Sequence, residues 1–151
     1  MAFVYRFFKF LEHRRLQRRE AQVALARAVE QAFRVDRLLA DTEKALENCR
    51  QRWEQRTSEG LPVGEHLAFE RYLAELEQRL QELKKAREHA WLVVQEKQKR
   101  LMEQDQEVKK LERLQEVDYD RYRRDQKKRE QKELDEYGTR LDLDPFVRDL
   151  L

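Results

Sequence analysis

The residue types that do chemistry in proteins are scarce in this chain of 151 residues, and they are scattered. Histidines 13, 66 and 89 show no paired ligand spacing, and the lone thiol, Cys49, offers no partner for a disulfide or a cysteine metal site. The single serine, Ser58, falls in the expected loop, and three glycines are too few and wrongly spaced for a phosphate-cradling loop. Enzymatic chemistry, cofactors and metals are therefore not expected. Cys49 reads as a small core residue. The chemistry that the spacing does support is non-covalent. Arg6, Lys9, Arg14, Arg15, Arg18 and Arg19 against Glu12 give residues 1–19 a net charge of +5. Arg121, Arg123, Arg124, Lys127, Lys128, Arg129 and Lys132 against two acids give residues 121–132 another +5. The overall charge is only +2, so the rest of the chain is −8. Aromatics accompany the basic segments: Phe3, Tyr5, Phe7, Phe8, Phe10, Tyr119 and Tyr122. Cations interleaved with rings bind anionic surfaces, whether acidic protein, nucleic acid or lipid. Charge runs also solvate helix faces, and rings at helical spacing also pack.

The elements that must position these groups follow from the breakers. Gly60, Pro62 and Gly64 fall together, as do Gly138 and Pro145. Residues 1–59 before the first stretch and 65–137 between the two, 59 and 73 residues, hold neither Gly nor Pro, which excludes a sheet protein of this size. With 42% charged residues and a mean hydropathy of −1.05, the alternatives are disorder or very long helices. Periodicity selects helices. Val4, Phe7, Leu11, Arg14, Arg18, Ala21, Leu25, Ala28, Ala32, Val35, Leu39, Thr42, Leu46, Cys49 and Trp53 recur at alternating spacings of three and four. A second seam runs Phe69, Leu73, Leu76, Leu80, Leu83, Arg87, Ala90, Val94, Lys97, Leu101, Gln104, Val108 and Leu111.

The seams fit each other. A turn near residue 61 pairs Trp53 with Phe69, Cys49 with Leu73, Leu46 with Leu76, Ala32 with Ala90 and Leu11 with Leu111. The polar positions Arg18 and Gln104 share one layer. Long basic side chains at Arg14, Arg18, Arg87 and Lys97 lie along the seam and reach outward. The expected fold is all-α: a long antiparallel two-helix coiled-coil hairpin with an overhanging second helix. It forms a single domain over 1–140, with helix 1 about 4–57, a loop at 58–65, helix 2 about 66–137 and a short apolar tail at 141–151. Val4 pairs near Asp118, so the second helix outruns the first. Its polar extension is supported by the (i, i+4) pairs Asp120–Arg124 and Asp125–Arg129 and stopped at Gly138. In the tail, Phe146, Val147, Leu150 and Leu151 share one face. No segment has the length or apolarity of a signal peptide or a membrane span, so a soluble, intracellular chain is expected.

Several motifs, in this order, resemble a known family. Phe8-Lys9-Phe10-Leu11, with Leu16 and then Arg19-Glu20, is similar to the opening of the bacterial flagellar type III export stalk family, FliJ. Phe69-Glu-Arg-Tyr72-Leu73-Ala-Glu-Leu76 looks like that family's motif after the turn. Leu111-Glu112-Arg113-Leu114-Gln115-Glu116 and Leu134-Asp135-Glu136-Tyr137 resemble its later elements. Stalk proteins of virulence type III secretion systems look similar too. The resemblance implies a non-catalytic cytoplasmic component, peripherally associated with the membrane export apparatus and serving flagellum biogenesis, hence motility. It implies a hairpin whose open, basic end inserts into a hexameric export ATPase ring and which links that ring to the membrane export gate. Tyr72 and Leu76 are the implied gate contacts, and export chaperones are further possible partners. The basic aromatic end supplies the other candidate partner-binding residues: Phe7, Phe8, Phe10, Arg14, Arg15, Tyr122, Arg121, Arg123, Arg124, Lys127, Lys128 and Arg129. A nucleic-acid-associated coiled coil and a generic scaffold are the rival readings. The scaffold would self-associate, and nucleic-acid binding would show a steep salt dependence.

Overall fold

A computed structural model describes residues 2–143. It contains two helices, α1 (Phe8–Glu59) and α2 (Val63–Leu143), and no strand among the described residues. The helices pack against each other as a helical hairpin. The chain falls into two compact units. One comprises residues 17–104; the other joins the N-terminal segment to the stretch of α2 from residue 105 onward.

In the unit of residues 17–104 the seams meet in the register that the spacing predicts. Ala32, Val35, Ala90 and Val94 form one buried cluster, with Ala28 packed against it. Leu46, Cys49, Leu73 and Leu76 form a second, bordered by Trp53, Phe69 and Leu80. Burying each large aliphatic side chain contributes about 1.5–3 kcal/mol. Thr42 is buried in the seam, and its hydroxyl is satisfied by donating to the Leu38 carbonyl at 2.8 Å. Arg87 departs from the seam: it is exposed, and its Nε donates to Asp36 Oδ1 at 2.8 Å. A guanidinium reaches a carboxylate on the flank at less cost than it would meet inside the interface.

The turn is tighter than expected, with only residues 60–62 outside the helices. Gly60 sits at φ 89°, the left-handed position that ends a helix, and its N–H donates to the Thr57 carbonyl. The Pro62 carbonyl accepts the N–H groups of Glu65 and His66, which starts α2 at once. Helix-terminal Arg56 and Glu65 pair across the turn at 2.8 Å. The Trp53 and Phe69 rings stack at 6.2 Å, and Trp53 Nε1 donates to His66 Nδ1 at 2.9 Å.

In the other unit the expected start of helix 1 is corrected. Helix begins at Phe8, and residues 2–7 lead into it without regular structure. Val4, a seam position by spacing, is 82% exposed, whereas Tyr5 is only 4% exposed. The larger ring closes the cluster of Leu11, Val108 and Leu111, and its hydroxyl donates to the Leu111 carbonyl at 2.9 Å. Valine at position 4 offers neither the area nor the hydrogen bond. The expected stop at Gly138 is also corrected. Gly138 has no positive φ, and α2 continues through Leu143. A single interior glycine costs about 1 kcal/mol relative to alanine, too little to end a helix in which strong formers precede it. Residues 141–143 of the expected tail are thus helical; Phe146, Val147, Leu150 and Leu151 lie outside the described residues.

Candidate partner-binding site

The candidate site is built on the unit that contains the N-terminal segment and α2 from residue 105. The seam of this unit ends at the layer of Leu11 and Leu111, and the chain before α1 then lies against α2. Phe3 meets Tyr119 edge-on and Tyr122 at a tilt, each at 5.4 Å. Arg6 pairs with Asp118 at 3.6 Å, and Arg15 with Glu112 at 3.0 Å. These contacts, with the Tyr5 hydroxyl, fasten the segment. Burial and the Asp118 carboxylate push the Tyr5 phenol above its ordinary pKa of 10.0, opposed by Arg6.

Phe7, Phe8 and Phe10 stay exposed on this scaffold. The Arg6 guanidinium lies 4.7 Å from the Phe7 ring centre, and that of Arg14 lies 5.2 Å from Phe10. A cation over an aromatic face stiffens both groups and keeps the charge near the surface. From Arg123 to Leu141, α2 residues are exposed except for half-buried Gln126 and Gly138. Arg121, Arg123, Arg124, Lys127, Lys128 and Arg129 are all exposed, and none makes an ion pair among the described residues. The expected pairs Asp120–Arg124 and Asp125–Arg129 are therefore open, which leaves the six charges available outward. The surface can bind carboxylates or phosphates, with rings at its edge for apolar contact.

The structure thus brings Phe7, Phe8, Phe10, Arg14, Arg15, Tyr122 and the six cations into one unit. Within it, Arg15 is engaged by Glu112, and Tyr122 by Phe3 and Gln126. Tyr72 and Leu76 belong to the other unit and have opposite surroundings. Tyr72 is 49% exposed beside Arg56, Glu65, Ala68 and Phe69. Leu76 is 8% exposed inside the seam cluster, so its side chain is committed to hairpin packing. Sequence reasoning quoted Leu114 only within a family motif and passed over Val117, and named neither as a site candidate; both are half-exposed on α2. They lie off the seam, and only a second stripe at the same three-and-four spacing would have picked them out.

Fold and surface together define a helical-hairpin protein, one unit of which carries a basic, aromatic surface. No group of His, Cys, Asp or Glu suited to a metal occurs among the described residues, and no described helix is long and apolar enough to cross a membrane. A family model described as flagellar FliJ protein matches residues 3–143, and the chain belongs to that family. It is accordingly a component of the flagellar export apparatus, in a family of non-catalytic export stalk proteins. Comparison with curated proteins and with solved structures gives no match.

Proposed function

We propose that the chain is the coupling stalk of the flagellar export machine. Its basic, aromatic unit engages a hexameric export ATPase ring, and the segment after the turn contacts the membrane export gate. The observation that carries this reading is the stretch from Arg121 to Arg129, six exposed cations with no ion pair among the described residues, in the same packing unit as the exposed rings of Phe7, Phe8 and Phe10. Such a surface is complementary to an acidic socket. Like charges along one helix repel, and a socket of opposite sign relieves that repulsion. Family membership selects an export-apparatus protein as the partner rather than nucleic acid. On this reading the chain works in the cytoplasm at the membrane export apparatus, and exposed Tyr72 is the residue best placed for the gate.

The test is the hydrolysis rate of the cognate export ATPase with the full chain titrated in, repeated across a salt series, beside a gel shift with DNA and RNA. Stimulation should saturate and should weaken as the Debye length falls below about 8 Å at higher ionic strength. A tight, salt-steep nucleic-acid shift with no effect on the ATPase would overturn the proposal.

A further inference from the structure

The six cations of 121–129 do not share a face. In an α-helix, positions spaced alternately three and four residues apart line one side. Along α2, Leu114, Val117, Arg121, Arg124 and Lys128 fall on one such stripe, whereas Arg123, Lys127 and Arg129 point in other directions. Every member of the stripe is exposed, Leu114 at 45% and Val117 at 47%. The preceding position on the stripe, Lys110, is engaged by Glu107 at 3.4 Å, so the open part begins at Leu114. Asp125 borders the stripe without an ion pair among the described residues.

The other helix extends the apolar end. Arg15 and Glu112 meet on one flank of the seam. Relative to buried Leu11, Phe10 lies on the opposite flank of α1 from Arg15; relative to buried Leu111, Leu114 lies on the opposite flank of α2 from Glu112. Phe10 and Leu114 therefore share a flank, with the Arg14 guanidinium against the Phe10 ring. The result is a strip with an apolar head, Phe10, Leu114 and Val117, and a cationic run, Arg121, Arg124 and Lys128. From Leu114 to Lys128 it spans about 21 Å.

We infer that this one face of α2 is the docking strip for the ATPase. Its occupant is a segment of that partner with an apolar anchor at one end and, about 10 Å further on, carboxylates that follow the cationic run for another 10 Å or so. Charge complementarity decides the occupant: three unpaired cations on one side need acids opposite, and exposed leucine and valine at the head need an apolar cover. Off-face Arg123, Lys127 and Arg129 contribute only to the general field. This inference rests on the stalk reading and adds to it a face and a partner chemistry.

Two full-length triple variants of equal net charge separate the cases: Arg121→Glu/Arg124→Glu/Lys128→Glu on the strip, and Arg123→Glu/Lys127→Glu/Arg129→Glu off it. A third, Leu114→Gln, tests the apolar head. Each is titrated into the cognate ATPase, with a helical melt by circular dichroism as the folding control. The strip variant should raise the half-saturating concentration by about tenfold or more, and the off-face variant by less than about threefold. Leu114→Gln should weaken stimulation with no change in the melt. Equal losses from the two triples would overturn the strip and leave the stalk reading standing. No loss from either, or no stimulation by the unmutated chain, would overturn both.

Discussion

Tyr5 joins the segment before α1 to both helices of its unit. Its ring fills the layer of Leu11, Val108 and Leu111, and its hydroxyl is bonded to the Leu111 carbonyl. Its phenol is held above 10.0 by burial and then by Asp118, so the neutral form is favoured in the folded state. The sign follows: stability is full below pH 10, the ordinary value, and falls as pH rises beyond it, because the unfolded chain loses this proton first. Tyr5→Phe should flatten that alkaline loss and cost about 1 kcal/mol at neutral pH through the missing hydrogen bond. Urea melts at pH 7 and above pH 10 for both chains check it. The importance of Tyr5 was not legible in the sequence. The stripe named Val4, because spacing assumes that the helix continues, and here the helix starts only at Phe8. Leu76 teaches a related lesson: a motif match marks a position, while burial decides what its side chain is free to touch.

At the scale of elements, the seam register was readable because the two stripes constrain each other. Trp53 stacks on Phe69, and Leu46 and Cys49 share a cluster with Leu73 and Leu76, as the pairing around residue 61 requires. Helix ends were less readable. Gly60 stopped α1 because it takes φ 89° two residues before Pro62, while Gly138 in a helical context stopped nothing. Polar seam positions were ambiguous for a physical reason: arginine reaches far. Arg87 left the interface for Asp36, while Arg14 and Arg18 stayed half-buried. Buried Leu39 gives the sharpest test of the packing. Leu39→Asp places a charge in the seam without a partner and should cost about 3 kcal/mol or more, read as a lower denaturation midpoint by circular dichroism. An unchanged midpoint would contradict the seam.

At the scale of the whole molecule, composition spoke more clearly about charge placement than about partners. A net charge of +2 conceals two basic segments of +5 each, and both contribute to the same packing unit. That grouping was legible, since the hairpin brings residues 1–16 beside the stretch from residue 105. What the sequence left open was which cations lack ion pairs and which side of α2 they share; both depend on side-chain placement. Family membership assigns the chain to the flagellar export apparatus, and the basic unit then acquires a specific proposed role. The central claim is that this unit meets the ATPase while the turn-proximal segment meets the gate. Photo-crosslinking in motile cells tests it directly, with the reactive side chain placed at Arg124 or at Tyr72 of the full-length chain. The account predicts that position 124 captures the export ATPase and position 72 captures the membrane gate protein. Capture of the gate or of nucleic acid from position 124, or of the ATPase alone from position 72, would contradict it.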